Sequence, residues 1–302
     1  MPRLVYATRK SKLALAQSRA FVAELQRHHP ELDVEELTVV TTGDMVQDRP
    51  LAEVGGKGLF VKEIEQSLAE RRADVAVHSS KDVPAELAPG MVLGCFPRRE
   101  DPRDVLVSRS GAKLAELPAG SRVGTTSQRR ALQLKRRRPD LVVVPLRGNV
   151  DTRLRKCEEG VVDAILLARA GLVRLGLAER ATEVLEANVC LPAIGQGALA
   201  VEHRADDEHA ARLLAPLSHA ETSVAVSAER GVMVAVEGDC QTPVAAYGVR
   251  SGDELWLRAL LTEPDGSNYR EAERRAPWPG TLAEASAVGR DLGAELRRSG
   301  AR

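Results

Sequence analysis

The stretch Asp74-Val75-Ala76-Val77-His78-Ser79-Ser80-Lys81-Asp82-Val83-Pro84 decides the fold. Its first half, residues 74–78, is a short and nearly continuous apolar run, the pattern of a strand buried on both faces. Its second half turns polar at once and stops at a proline, which has no N–H to give to a ladder. A buried strand ending abruptly in a Lys and an Asp belongs to an open α/β sheet, where ligands collect at the carboxyl ends of strands. His78 keeps the strand pattern and reads as a satisfied core histidine. Asp82 reads in two ways: as a cap paired with Lys81, or as a carboxylate facing a cation or working in acid–base chemistry.

Working outward, residues 4–7 form an apolar strand. A helix from 12 to about 28 carries Leu13, Ala16, Ala20, Val22 and Ala23 at helical spacing and is stopped by Pro30. A strand over 34–41 and a helix over 59–71 follow. This alternation predicts a mostly parallel sheet with helices on both faces. Residues 98–104 are a polar break, after which the pattern restarts: strands at 105–107, 121–124, 141–144 and 164–167, helices at about 127–138 and 150–158. The turn-rich loop 191–197 is where the chain is expected to cross back. Beyond residue 219 the character changes to a long helix (220–236) ending at Gly238, strand-like runs at 244–249, 255–261 and 268–274, and a closing helix at 282–298. The expected fold class is α/β: two doubly wound domains, 1–97 with 198–216 and 102–192, plus a small α+β third domain, 219–302, with an antiparallel sheet.

Composition narrows the function classes. The 302 residues are 43% apolar and 28% charged, as in soluble globular proteins. No apolar run approaches the roughly 18–20 residues of a membrane span. The first residues, charged at Arg3, Arg9, Lys10 and Lys12, do not read as a signal peptide. Four cysteines (Cys95, Cys157, Cys190, Cys240) without a CxxC pair argue against a disulfide framework or structural zinc and for a reducing cytoplasm. Eight aromatic residues are too few for a base-stacking platform. The net charge of zero hides an asymmetry. Residues 121–156 hold eleven basic and two acidic side chains, net +9; residues 179–240 hold eleven acidic and four basic, net −7.

Within the basic segment, Arg129 and Arg130 fall in the first turn of a helix, where cations oppose the helix dipole. They make sense there if an anion binds at that N-terminus, and Arg147, Arg153 and Arg155 strengthen this reading over that of a solvated basic face. The loop Val54-Gly55-Gly56-Lys57-Gly58-Leu59-Phe60 lacks the P-loop spacing, and reads as a flexible turn, a lid or an anion-facing nest. Cys240, in Glu237-Gly238-Asp239-Cys240-Gln241-Thr242-Pro243, is a loop thiol available as nucleophile or attachment point. Its acidic neighbours disfavour a protease-type thiolate.

Together the segments ATRKSKLALAQ (7–17), VTTGD (40–44), VGGKGLFVKEIE (54–65), HSSKDVP (78–84), REDPRD (99–104), GTTSQRR (124–130), RRPDL (137–141), LRGNVDTRL (146–154), LLARAGLVRLG (166–176), LPAIGQGAL (191–199) and EGDCQTPV (237–244) resemble the porphobilinogen deaminase (hydroxymethylbilane synthase) family, in the family's order and along nearly the whole chain. The resemblance implies a transferase of tetrapyrrole biosynthesis that joins four porphobilinogens head to tail into hydroxymethylbilane, releasing ammonia. It implies a dipyrromethane cofactor held by a thioether to Cys240, with Lys81, Ser127, Arg129 and Arg130 as cofactor-binding residues, and Asp82 as the catalytic carboxylate. Arg9, Ser11, Gln17, Thr125, Arg147, Arg153 and Arg174 match substrate-binding positions, and Lys57 a lid loop. It further implies a cytoplasmic monomer without metal, nucleic-acid or membrane partners, whose first two domains resemble type II periplasmic binding proteins around a cleft. Two positions depart from the family pattern: Asp239 stands where a glycine is usual, and Thr126 where a small serine is common.

The chemistry agrees with the residues. Each pyrrole unit brings an acetate and a propionate, so a growing chain gathers negative charge that a +9 segment suits. Each deamination leaves an electron-poor cation that a carboxylate stabilises. The alternative, a non-catalytic anion or nucleic-acid binder using residues 121–156, is opposed by the few aromatics and the zero net charge.

Overall fold

The computed structural model describes residues 3–45, 58–237 and 243–299. Strand β1 (Arg3–Arg9) leads through Ser11, which caps helix α1 (Lys12–His28) by accepting the Ala14 N–H at 3.2 Å. Strand β2 (Asp33–Val39), helix α2 (Lys62–Ala69), strand β3 (Val75–Ser79) and strand β4 (Met91–Cys95) follow. The apolar stripe of α1, including Phe21, Val22 and Leu25, packs on Leu4, Tyr6, Val75 and Val77 of one sheet face. Ile64 and Leu68 of α2 cover Ala7 and Ala76 on the other. Truncating a buried leucine such as Leu25 would cost about 2–5 kcal/mol.

This first sheet has the order β2-β1-β3-β10-β4, where β10 (Leu199–Arg204) arrives from far downstream. The second sheet repeats the plan. It comprises β5 (Asp104–Ser108), β6 (Arg122–Gly124), β7 (Val142–Val144), β8 (Ala164–Ala168) and β9 (Glu183–Leu185), in the order β7-β6-β8-β5-β9. Helices α3 (Gln128–Arg137), α4 (Val150–Glu158) and α5 (Arg169–Arg174) are interleaved. The expectation of mostly parallel sheets needs one correction: β10 runs antiparallel to both neighbours, and so does β5. The loop 191–197 does return the chain, directly into β10. A Cβ on Gly197 (φ +86°) would lie 2.4 Å from the Glu100 carbonyl, so only glycine lets the two crossing segments touch.

Helix α6 (Glu208–Leu214) closes the first sheet, and α7 (Ala220–Ala235) begins the third layer. Strands β11 (Val244–Ser251), β12 (Glu254–Leu261) and β13 (Arg270–Pro277) form an antiparallel meander, backed by α7 and α8 (Leu282–Arg298). The two helices cross closely enough that a Cβ on Gly289 would sit 1.9 Å from the Ala228 carbonyl. The expected last strand, 268–274, lies instead at Arg270–Pro277. It is a charged edge strand without an apolar pattern, so its register comes from pairing with β12. Buried Glu229 of α7 fastens this layer to the crossing loops. It accepts from Arg99 (2.6 and 3.1 Å), Gly195 N–H (2.7 Å) and Gly248 N–H (2.9 Å).

Candidate active site

Strands β1 and β3 are parallel neighbours, so their carboxyl ends meet at one sheet edge. There a single 3₁₀ turn, Ser80–Asp82, leaves β3. Asp82 lies 3.5 Å from Arg9 at the end of β1, and its side chain is 31% exposed. Arg9 also grips Asp44 (2.5 and 3.2 Å) and stacks 4.1 Å over the Phe60 ring. Burial opposes the charge on Asp44, but the Arg9 guanidinium outweighs it and holds the carboxyl below its usual range. Asp82, Arg9, Ser11, Gln17, Phe60 and His78 line one cleft.

The second sheet supplies the opposite wall. Ser127 caps α3, accepting the Arg130 N–H at 3.5 Å, and Thr125 Oγ1 accepts the Ser127 N–H at 3.1 Å. Arg129 and Arg130 do stand in the first turn, yet both are only 6% exposed and point at a carboxylate of the protein itself. Asp104, fully buried at the start of β5, meets Arg129 Nη2 at 2.7 Å and Arg130 Nη2 and Nε at 2.7 and 3.1 Å. Burial would raise the Asp104 carboxyl, but the two guanidinium groups hold it well below the ordinary range. The dipole-opposing cations are thus offset from within. Remaining donors reach backbone: Arg129 to the Leu191 carbonyl (2.6 Å), Arg130 to that of Leu166 (3.1 Å). In the sequence Asp104 closes the polar break 98–104. Its only signal was an acidic residue opening an apolar strand.

The other candidates divide. Lys81 is exposed on its turn, yet desolvation by the surrounding protein first, and Arg130 second, lower its amine to about 8 against the pull of Asp82. Arg153 donates to the Gly148 carbonyl (2.7 Å), and burial with Arg130 and Arg147 lowers it to about 10. Among the described residues, neither Arg147 nor Arg153 has an acidic partner. Lys81 thus stands beside Asp82 on one turn and Arg130 is held by Asp104, while Arg153 and Arg147 act on each other as neighbouring cations. Arg174 and Gln17 play another part, tying the walls together: Arg174 donates to Gln17 Oε1 (3.3 Å) and the Gly197 carbonyl (2.7 Å), while Ser79 donates to the same Gln17 oxygen (3.0 Å). Lys57 and Cys240 lie outside the described residues. His78 is the buried histidine expected, bound to Glu202 at 2.9 Å.

A family profile described as "Porphobilinogen deaminase, dipyromethane cofactor binding domain" matches residues 4–212, and "Porphobilinogen deaminase, C-terminal domain" matches 223–298. The chain belongs to the porphobilinogen deaminase family. A curated relative, "Porphobilinogen deaminase" of Sorangium cellulosum (strain So ce56), is 64% identical over 295 residues, covering 98% of each chain. Among solved structures, the periplasmic aliphatic sulphonate binding protein of Escherichia coli is 13% identical at a TM-score of 0.44, covering 99% of this chain and 88% of that one. The Bordetella pertussis BvgS periplasmic VFT2 domain is 19% identical at 0.40, covering 74% and 90%. As a porphobilinogen deaminase, the chain is a transferase that joins four porphobilinogens head to tail into hydroxymethylbilane with loss of ammonia, and its first family segment is a dipyrromethane-binding domain. Among the described residues no helix is long and apolar enough to cross a membrane.

Proposed function

We propose that Asp82 is the catalytic carboxylate of this deaminase and that Cys240 carries the dipyrromethane through a thioether. The observation that carries the reading is one partly exposed carboxylate, Asp82, on the same turn as Lys81 and paired with Arg9, in a fold whose Arg147 and Arg153 have no acidic partner among the described residues. A pyrrole chain bearing acetates and propionates needs such a surplus of cations, and its ring N–H groups need an acceptor. The donor set therefore fits the cofactor: Lys81, Arg129, Arg130 and Ser127 hold its carboxylates, the two arginines being pre-aimed by Asp104. When bound, the dipyrromethane supplies the pyrrole end to which substrate is joined.

Asp82 accepts from the pyrrole nitrogens and stabilises the cation left when the substrate's amine departs. A preorganised charge does this at little reorganisation cost. Arg9, Ser11, Thr125, Arg147 and Arg153 orient incoming carboxylates, and Arg174 with Gln17 sets the distance between the walls. Lys57 belongs to a lid over the cleft. Residues 1–97 with 198–216, 102–192 and 219–302 act as the three units that shift as the chain lengthens, in a cytoplasmic monomer without metal, nucleic-acid or membrane partners. Support for the cytoplasm comes from Cys95, Cys157 and Cys190, which are buried free thiols. The nucleic-acid alternative is disfavoured by the few aromatic residues and the zero net charge. Intact and peptide mass spectrometry of the purified protein tests the attachment: the expected result is a dipyrrole adduct on Cys240, and an active enzyme with an unmodified Cys240 would overturn it.

A further inference from the structure

Four charged or titratable side chains behind the Ser80–Asp82 turn have no place in the chemistry above. His78 (β3) and Glu202 (β10) are 4% and 0% exposed and meet Nε2 to Oε2 at 2.9 Å. The antiparallel register, with Ala200 opposite His78 and Glu202 opposite Ala76, makes them diagonal neighbours on one face. Glu65 of α2 lies against Glu202 and accepts the Ala88 N–H at 2.9 Å. Arg230 of α7 faces Glu202 and donates to the carbonyls of Val83 (3.3 Å), Pro84 (2.8 Å) and Ala85 (3.4 Å).

These contacts bracket one segment. Its start is held through His78, its middle through the 83–85 carbonyls and its end through the Ala88 N–H; Lys81 and Asp82 ride between. The bracket also contains a conflict. An ionised Glu65, half-buried, repels the fully buried Glu202 carboxylate, and Glu202 Oε1 is buried with no hydrogen-bond donor among the described residues. A proton on Glu65 resolves both problems. Burial first, and then the Glu202 charge, lift Glu65 above the ordinary carboxyl range against the Ala88 N–H, so the proton is retained to higher pH than on a free glutamate.

We propose that His78, Glu202, Glu65 and Arg230 are positioning residues for the deaminase reaction, and that a proton held on Glu65 toward Glu202 keeps the bracket closed around the Lys81–Asp82 turn. The groups facing Glu202 are His78 from β3, Glu65 from α2 and Arg230 from α7. Of these Glu65 titrates into a repulsive state. As pH rises through its raised pKa the carboxyls repel, the bracket loosens and Asp82 loses its place. The inference rests on Asp82 being the catalytic carboxylate.

The test is the pH profile of kcat for cofactor-loaded holoenzyme. Glu65→Gln keeps a donor for Glu202 and cannot ionise, so the ratio of variant to parent kcat should rise with pH above the ordinary glutamate range of about 4.3. His78→Phe and Glu202→Gln should lower kcat roughly 10- to 100-fold, the effect of a misplaced reacting group, with cofactor loading and KM little changed. A ratio that stays flat with pH, with only thermal stability altered, overturns the inference even if Asp82→Asn is inactive. An active Asp82→Asn enzyme removes the reading beneath it as well. Should Glu202→Gln fail to fold, the Glu65→Gln ratio alone decides.

Discussion

Replacing Asp104 by asparagine should break the second sheet's wall without changing side-chain size. The carboxylate is fully buried and accepts from Arg129, twice from Arg130, from Gln196 Nε2 at 2.9 Å and from Cys190 Sγ at 3.3 Å. An asparagine keeps one acceptor and turns an NH₂ toward a guanidinium, leaving two cations, each 6% exposed, without a counter-charge. Removing one partner of a buried ion pair costs about 3–5 kcal/mol, which for a chain of this size lowers the melting temperature by roughly 10 °C. The pH dependence carries a second signature. Because the folded-state pKa lies below the unfolded value of about 3.9, the stabilisation is present above that pH and lost as pH falls through the folded pKa. Thermal unfolding of parent and Asp104→Asn between neutral and acid pH should therefore show a gap that narrows in acid. Adding Arg129→Met should cost less than the sum of the single changes, since one orphaned cation is removed. An Asn variant melting within about 2 °C of the parent would refute the reasoning.

Three further outcomes follow from the site. Asp82→Asn should lose about 10²–10³ in turnover and Asp82→Glu less, measured on loaded enzyme; an Asn variant equal to the parent, or better than Glu, makes Asp82 a structural cap. Arg129→Leu and Arg130→Leu, each losing charged hydrogen bonds of about 1.5–3 kcal/mol, should yield largely apo-protein or enzyme stalled early in elongation, read by intact mass; full loading with normal turnover in both counts against them as cofactor ligands. With its amine lowered to about 8, Lys81 favours anions only below that pH, so cofactor loading of apo-protein, read by intact mass, should fall as the loading pH rises through about 8. Lys81→Arg should flatten that fall, and an equally pH-dependent Arg variant sinks the assignment.

What the sequence by itself determined is local. Helical spacing set α1, α4 and α8 at their expected bounds, and in the fold Ser11 and Thr281 cap α1 and α8 by accepting the Ala14 and Glu284 N–H groups. The buried run 74–78 announced the sheet edge that carries Asp82, and the ordered motifs announced the family. Strand β10 was not legible: Glu202, His203 and Arg204 are all buried, yet they read as solvent residues until their partners are known. The reversed direction of β5 and β10 was hidden likewise, since direction depends on which strand lies alongside. The fate of Arg129 and Arg130 was decided by tertiary structure alone. Composition and spacing could show two cations wanting an anion at a helix N-terminus; only the fold brings Asp104, distant along the chain, into hydrogen-bond range of both. Periodicity and capping are written in neighbouring residues, whereas the neutralisation of a buried charge depends on groups that meet only when the sheets assemble.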